Sequence, residues 1–243
     1  MRHPMTARDQ LAPSPGVELP IGPAVAGGRA ALPEPVVLEG RFGRVEKLDP
    51  IHHSADLWQA VSGHDQIWTY MSYGPFADAD AFLHWLGERA ALKDPFCYAV
   101  TDLSGRALGI VTLVEIRPAM RVIEVGHIVL SPPLQRTPLA TETQYLLARY
   151  VFETLGYRRY EWKCNALNAA SRRAALRFGF TFEGIFRQHM IVKGRSRDTT
   201  WYAMLDGEWP ARKRGFESWL AQENFDGEGR QKRRLAELNG SRS

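Results

Sequence analysis

The chain has 243 residues, of which 44% are hydrophobic and 24% charged, and its formal net charge is +4. This composition predicts a globular protein with a substantial core and excludes a disordered or fibrous chain. No apolar run approaches the ~18 residues that a membrane span needs, and the small charge excess favours a small anionic ligand as much as nucleic acid.

Three regions follow from local composition. Residues 1–35 hold seven prolines and four glycines without any periodicity, which predicts an extended or disordered arm. A compact domain is expected over residues 36–206. Residues 207–243 are expected to form a closing helix and a basic tail.

Helical and strand periods alternate through the compact domain. Two short strands around Gly40 and Gly43 precede a helix in PIHHSADLWQAVSG, the aromatic stretch QIWTYMSYGPF and an amphipathic helix in DADAFLHWLGERAAL. Three strands then follow, in PFCYAVTD, RALGIVTLVEIRP and RVIEVGHIVL. A long helix in ATETQYLLARYVFETLG leads to the strand YRRYEWKC, the helix NAASRRAALRFGF and a hairpin turned at KGRS. This order predicts a mixed α/β sheet, antiparallel at the front with a βαβ-type return.

The loop LSPPLQRTPLATET, residues 130–143, joins a predicted strand to a predicted helix and carries three prolines but no glycine. It resembles the signature V-x-P-x-x-(Q/R)-x-x-G-x-(G/A) of the GNAT superfamily of acetyl-CoA-dependent N-acetyltransferases, with Pro132, Gln135 and Ala140 in register. Pro138 stands at the other small position. Downstream, NAASRRAALRFGF resembles the family's next helix. FEGIFRQ is similar to the branch that includes the ribosomal-protein N-terminal acetyltransferases.

The resemblance covers about residues 36–206. It implies a twisted, mostly antiparallel sheet flanked by helices, with splayed fourth and fifth strands, and acetyl-CoA as the co-substrate. A loop entering a helix N-terminus offers unpaired N–H groups and partial positive charge, which suits a pyrophosphate. Pro138 has no N–H, so one contact is expected to be missing, with Arg136, Thr137 and Thr141 as substitutes. The resemblance assigns these residues to acetyl-CoA: Leu130, Gln135, Arg136, Thr137, Leu139, Ala140, Thr141, Asn168 and Ser171.

The implied reaction is direct attack of a primary amine on the acetyl thioester through a tetrahedral intermediate. The family's oxyanion donor is a backbone N–H at the end of its fourth strand, here Leu130. Many members protonate the departing thiolate with a tyrosine, whose position here is Ala175. Some members of the ribosomal-protein branch use an earlier serine, which Ser171 matches. A first-turn residue that only satisfies the helix backbone is the other interpretation of Ser171.

The general base is left open by the residues. The carboxylate position of the ribosomal-protein branch is Met190, and neighbouring His189 is expected on the opposite face of a regular strand. His127 and Glu124, on the strand that leads into the loop, are candidates, as is Glu115 one strand away. A structural histidine and proton loss through a water chain are the alternatives.

The acceptor groove of the family lies between the early helices and the last hairpin. Trp68, Tyr70, Tyr73 and His189 are expected to contact the substrate there, while core packing is the alternative for the aromatic side chains. The expected acceptor is a small-molecule amine or a protein N-terminus, with no membrane partner. A homodimer is one of the oligomeric states that the sequence allows.

The two cysteines, Cys97 and Cys164, predict neither a disulfide framework nor a nucleophile. No histidine is close to Cys164 in sequence, and it ends an apolar strand, which favours a buried structural thiol. Histidines and cysteines show no zinc spacing, so no metal is expected. Without a secretory pattern near residue 1, a reducing cytoplasm is the expected location.

Two other functions stay open. A non-catalytic acyl-CoA-binding or regulatory module would explain the missing tyrosine, the missing carboxylate and Pro138. A nucleic-acid-associated protein would use the basic tail. The module would retain the fold while losing the transfer chemistry, and nucleic acid is not an expected partner.

Overall fold

A computed structural model describes residues 19–239, so residues 1–18 of the predicted arm and residues 240–243 lie outside the described part. The strands within this part are β1 (Leu38–Glu39), β2 (Gly43–Lys47), β3 (Phe96–Asp102), β4 (Ala107–Arg117), β5 (Val122–Leu130), β6 (Arg159–Asn165), β7 (Thr181–Val192) and β8 (Arg195–Leu205). The α-helices are α1 (Pro50–Val61), α2 (Ala79–Ala91), α3 (Pro138–Arg149), α4 (Ala169–Arg177), α5 (Trp209–Leu220) and α6 (Leu235–Leu238). No helix within residues 19–239 has the length and apolar character needed to cross a membrane.

The strands form one open sheet in the order β1-β2-β3-β4-β5-β6-β8-β7. Every neighbouring pair is antiparallel except β5 and β6, which run parallel on either side of the α3 crossover. The predicted mixed, mostly antiparallel sheet is confirmed. β5 and β6 occupy the places of the family's fourth and fifth strands, because the short β1 adds one strand at the front.

The side chains of each strand point alternately to the two faces of the sheet, where they pack into two separate cores. On β3, Tyr98 and Val100 pack with α3 and α5, whereas Cys97 and Ala99 pack with α1 and α2 on the other face. We call these the α3 face and the α1–α2 face of the sheet. The two layers leave the sheet flanked by helices on both sides.

The parallel strands β5 and β6 separate part-way along. Their register runs from Val122–Arg159 only as far as Val125–Trp162. Beyond these pairs, β5 continues to Leu130 and β6 to Asn165 without pairing with each other. The predicted splay is therefore present, and we call the opening between the two strand ends the splay.

A bulge on β5 bends the strand at the splay. The antiparallel register passes from Thr112–Gly126 to Ile110–Val129, so two residues of β5 face one residue of β4. His127 within the bulge has φ +46°, an unusual conformation for a residue with a side chain. Bulges increase the local bend and re-aim side chains, which positions His127 at the edge of the opening.

The long predicted helix is divided between two segments. α3 begins at Pro138, two residues earlier than the expected start, and a five-residue π-helical stretch, Tyr150–Thr154, continues it. Gly156 follows with φ +75°, a left-handed conformation that suits glycine at a helix end.

The arm and the tail both contact the folded body. The Ala30 and Ala31 N–H groups donate to Pro118 O (3.1 Å) and Leu155 O (2.8 Å), and Ala30 is buried. At the other end, Leu235 of α6 is buried in the core that includes α5. Part of the predicted arm and much of the predicted tail thus pack against the domain.

Candidate active site

The loop between β5 and α3 leaves two backbone N–H groups available at the helix start. Thr137 is the N-cap: its hydroxyl accepts from the Ala140 N–H at 3.2 Å and donates to Leu134 O at 2.7 Å. The Leu139 N–H, at the second helical position, precedes the first intrahelical bond. The Arg136 N–H has no backbone partner among residues 19–239, and Arg136 has φ +63°. These two N–H groups and the helix dipole fit an anion such as a pyrophosphate.

Two of the three expected substitutes for the missing Pro138 contact are already engaged. The Thr137 N–H donates to Leu134 O at 3.3 Å, and the Thr137 hydroxyl is occupied by the cap. Thr141 is buried, and its hydroxyl accepts from Arg177 at 3.1 Å. The structure therefore corrects this expectation, because only Arg136 keeps its donors exposed.

Leu130 directs its peptide groups into the splay. The Ser131 N–H donates to Leu108 O at 3.3 Å, so the adjacent Leu130–Gly109 pair is a non-hydrogen-bonded pair of the antiparallel ladder. The Leu130 N–H and C=O consequently point away from β4, towards the side from which β6 has separated. The carbonyl accepts from the Gln135 side-chain amide at 2.9 Å. The N–H thus takes no part in the β4 ladder.

Ser171 lies on the α3 face, beside the point where the splay begins. Its hydroxyl oxygen accepts from the Trp162 indole N–H at 3.0 Å, and Trp162 belongs to the last pair between β5 and β6. The Asn168 side chain caps α4 by accepting from the Ser171 N–H at 3.0 Å. Among residues 19–239 the Ser171 O–H group donates to no acceptor. Ala175 lies one helical turn later on the same side of α4 and is fully buried.

Glu124 lies on the opposite, α1–α2 face, three residues before His127. It is 8% exposed, and its Oε2 lies 2.7 Å from Lys163 Nζ. Burial raises the pKa of Glu124 to about 7, although the Lys163 ammonium opposes this rise. Lys163 also lies 3.2 Å from Glu161, which in turn pairs with Arg117 at 2.7 Å. A carboxyl that titrates near neutral pH suits general base catalysis.

His127 contacts the aromatic stretch that precedes α2. Its Nδ1 shares a 3.0 Å hydrogen bond with the Tyr73 hydroxyl, and the two rings stack with centroids 5.6 Å apart. Burial lowers the pKa of His127, and the charges of Arg89 and Arg197 lower it further. The imidazole is therefore neutral at pH 7.

The predicted acceptor residues of the aromatic stretch divide between core and surface. Trp68 is 2% exposed and packs edge-to-face against Trp85 in the second core, so its position corrects the expected substrate contact. Tyr70 is partly exposed, and its hydroxyl donates to Leu167 O at 3.2 Å. Lys193 at the tip of the β7–β8 hairpin donates to Trp68 O at 3.0 Å. These two contacts connect the aromatic stretch to the loop between β6 and α4 and to the hairpin.

His189 lies on the α1–α2 face, contrary to the expectation from a regular strand. The register of β7 and β8 shifts between Phe186–Thr199 and Met190–Arg197, so β7 carries a bulge. The bulge directs the His189 side chain towards β8, where His189 Nδ1 lies 3.0 Å from the Thr199 hydroxyl. The candidate carboxylate position, Met190, remains an exposed apolar residue.

Three residues of the site, Lys163, Trp201 and Arg197, were not identified from sequence. Lys163 ion-pairs with Glu124 and lies 4.1 Å from the Trp201 ring centroid, in a cation–π contact. Arg197 lies on β8 beyond Trp201, and its Nε donates to the Thr199 hydroxyl at 3.1 Å. The alternation of side chains along YEWKC and RDTTWY could have identified these residues, because every second side chain of a strand lies on the same face of the sheet.

The two cysteines are buried, whereas Glu115 lies at the surface of the sheet. Cys97 and Cys164 are free and buried, and the Cys164 thiol lies 3.0 Å from the Thr200 hydroxyl. Glu115 is an exposed carboxylate whose negative charge helps to raise the pKa of Glu124. Within residues 19–239 no cluster of three histidine, cysteine or acidic residues could hold a metal ion.

An open mixed sheet with a bulged, splayed strand pair and a helix N-terminus at the opening is the architecture of an acyl-CoA-dependent acetyltransferase. The family model described as an acetyltransferase (GNAT) domain matches residues 47–181, more than half of the chain. The chain belongs to this family. Its members use acetyl-CoA as co-substrate, so acetyl transfer is the activity expected of the fold.

Solved structures agree with the family assignment. A GCN5-related N-acetyltransferase from Brucella melitensis is 47% identical with a TM-score of 0.86, covering 88% of this chain and 98% of that chain. A probable acetyltransferase of the GNAT family from Chromobacterium violaceum is 45% identical with a TM-score of 0.75, covering 82% and 100%. A spermidine N-acetyltransferase mutant from Vibrio cholerae, 18% identical with a TM-score of 0.54 over 69% and 96%, shares the fold alone. No curated protein sequence matches.

Proposed function

We propose that the protein transfers the acetyl group of acetyl-CoA to a primary amine by direct attack, with Glu124 as the general base. The observation that carries this proposal is the buried Glu124 carboxyl, whose pKa is about 7, on the acceptor face of the splay. The other candidate base, His127, is neutral, but the His127 Nδ1 atom is hydrogen-bonded to the Tyr73 hydroxyl. Glu124 retains an ionised form near pH 7 that accepts the proton of an incoming ammonium, directly or through water.

The cofactor-side groups lie on the other side of the sheet. The Arg136 and Leu139 N–H groups and the dipole of α3 would hold the pyrophosphate. The Leu130 N–H would donate to the thioester oxygen as negative charge develops on it. Ser171 would supply a proton to the departing thiolate from one helical turn before Ala175, where the family tyrosine is missing. In this proposal the base acts from the α1–α2 face of the sheet and the acid from the α3 face.

Two measurements test the proposal. Calorimetry should detect acetyl-CoA binding, and an amine panel should then release free thiol. Glu124→Gln should leave binding intact and lower kcat by about 100-fold or more, because a positioned general base contributes about 10²–10⁴-fold. Binding without thiol release for any amine would identify the non-catalytic acyl-CoA-binding module instead. Failure to bind acetyl-CoA at all would refute both functions.

The finer assignments remain predictions from motifs. The FEGIFRQ stretch supports membership of the branch that includes the ribosomal-protein N-terminal acetyltransferases. A protein N-terminus and a small amine are the two acceptor classes that follow from it. An acetyl transfer assay with N-terminal peptides beside free amines would separate them.

A further inference from the structure

Arg197 is a cation on the acceptor face without an acidic partner. Its Nε donates to the Thr199 hydroxyl, and no carboxylate among residues 19–239 lies within ion-pair distance of its guanidinium. Two other arginines of this face are neutralised, because Arg117 and Arg159 both pair with Glu161, at 2.7 and 2.8 Å, whereas Arg89 lies over the Tyr73 ring at 5.4 Å from its centroid. The unused Nη groups of Arg197 are therefore available to a ligand.

The position of Arg197 links it to the proposed base. Its charge is one of the influences that lower the pKa of His127, and Glu124 in turn acts on the pKa of Arg197. Arg197 alternates with Thr199 and Trp201 along β8, and the Trp201 ring lies 4.1 Å from Lys163 Nζ, the partner of Glu124, so these residues share the α1–α2 face. Half-burial lowers the pKa of Arg197, so solvation of the cation is reduced and an anionic partner would be favourable.

The side chains around Arg197 hold it in place. Thr199 is buried and bridges Arg197 Nε to His189 Nδ1, with contacts of 3.1 and 3.0 Å. The His189 ring lies next to Phe186 and Trp201, at centroid distances of 5.5 and 6.1 Å. A guanidinium fixed in this way presents its planar pair of donors in one orientation, which matches a carboxylate in bidentate geometry.

We propose that the acceptor is an amine that also carries a carboxylate, such as an α-amino acid, and that Arg197 binds this carboxylate. This inference rests on the proposed acetyl transfer. Glu115 and Glu124 lie on β4 and β5, where the amine would arrive, and Arg197 lies on the hairpin strand β8. A zwitterion satisfies both ends.

A polyamine fits this face poorly. Glu124 is paired with Lys163, and Arg197 would confront any second ammonium with like charge. A single-amine acceptor without a carboxylate would leave Arg197 unpaired in the complex and shielded from water. The amino-carboxylate therefore satisfies the charges of the site better than either alternative.

The test compares amino acids with their carboxamides as acceptors for the full-length enzyme and acetyl-CoA. Free thiol is measured at equal concentrations of unprotonated amine, because amidation lowers the pKa of the amine. For the best acceptor, kcat/KM should favour the acid by roughly 10- to 100-fold, the range for a hydrogen bond to a charged group. Arg197→Gln should abolish this preference by lowering kcat/KM for the acid, while KM for acetyl-CoA stays close to that of the wild type.

Two further variants separate binding from folding. Arg195→Gln, on the same strand but exposed at the hairpin, is the matched control and should keep the wild-type preference. Arg197→Lys should keep part of the preference for acids, since lysine retains the positive charge but lacks the planar pair of donors. Thermal unfolding should show similar midpoints for wild type and Arg197→Gln.

Three results would overturn the inference while leaving acetyl transfer intact. The first is equal use of acids and amides by the wild type. The second is a polyamine or a peptide N-terminus as the best acceptor. The third is a rise in KM for acetyl-CoA in Arg197→Gln, which would place the guanidinium on the co-substrate. Absence of acetyl-CoA binding would instead refute the proposed function, and the inference with it.

Discussion

Replacing Lys163 with methionine is expected to move the acidic limb of the pH profile of acetyl transfer to higher pH. Lys163 Nζ lies 2.7 Å from Glu124 Oε2, and its charge opposes the rise in the Glu124 pKa that burial causes. Methionine keeps an unbranched apolar stem against Trp201 while removing the ammonium. Glu161, the other partner of Lys163, keeps Arg117 and Arg159, so the remaining network stays neutralised.

The size of the effect follows from the pKa of Glu124, which is about 7 in the wild type. A neighbouring opposite charge lowers a carboxyl pKa by about 1 to 3, so its removal would raise the Glu124 pKa to about 8 to 10. The ionised fraction at pH 7 would fall from about a half to between about a tenth and a thousandth. Since the ionised form is the base, kcat/KM at pH 7 should fall in the same proportion and recover at high pH.

The assay is kcat/KM against pH from free thiol release, with one amine for all variants so that the titration of the acceptor is common to them. Lys213→Met is the matched control. Lys213 also lies close to a carboxylate, 2.9 Å from Glu153, but on α5, away from the splay. Its profile should superimpose on that of the wild type.

Two outcomes would refute the reasoning. An unchanged acidic limb in Lys163→Met would mean that Glu124 does not limit the reaction in that range. A loss of activity by the same factor at every pH would mean that Lys163 acts on substrate directly and not through the protonation of Glu124.

Three further predictions concern the same site. The unfolding free energy of the wild type relative to Glu124→Gln should fall by up to about 3 kcal/mol as pH rises from 4.5 to above 7. A carboxyl whose pKa is raised in the folded state contributes stability below its unfolded pKa and loses that contribution as pH passes the folded pKa. Parallel curves of unfolding free energy against pH, measured with urea, would contradict this. Thr137→Ala and Asp78→Ala each remove a helix N-cap and should cost about 1 kcal/mol in unfolding free energy, but only Thr137→Ala should weaken acetyl-CoA binding in calorimetry. Ser171→Ala should lower kcat by about 100-fold or more with unchanged acetyl-CoA affinity; an unaltered kcat would leave Ser171 a purely structural first-turn residue.

Local patterns were sufficient for the architecture. Periodicity and breakers predicted the order of strands and helices, and the resemblance of LSPPLQRTPLATET and NAASRRAALRFGF to the GNAT motifs implied a co-substrate loop beside α4. Asn168 was expected at the start of that helix and is its N-cap. The cap at Thr137 was also readable, because threonine followed by proline is a helix-start signal, but the loop was interpreted as a set of free donors instead.

Contacts between distant strands were beyond local patterns. The bulges near His127 and His189 depend on which residues face them across the sheet, so regular alternation assigned His189 to the wrong face. The pairing of Glu124 with Lys163 depends on the parallel register of β5 and β6, which a single strand does not specify. Trp68 is an aromatic residue of a type common in binding sites, and only its contacts in the fold show that it belongs to the core.

The orientation of Leu130 has a consequence for genetics. Because the groups that face the splay belong to the peptide unit, leucine can be exchanged for many residues without removing the donor. A saturation screen that reports only on side chains would therefore score position 130 as tolerant, even if it stabilises the transition state. Two exceptions would reveal it: proline, which lacks the N–H, and a backbone ester introduced by a leucine-like α-hydroxy acid. Apparent mutational tolerance at this position would be compatible with an essential part of the chemistry.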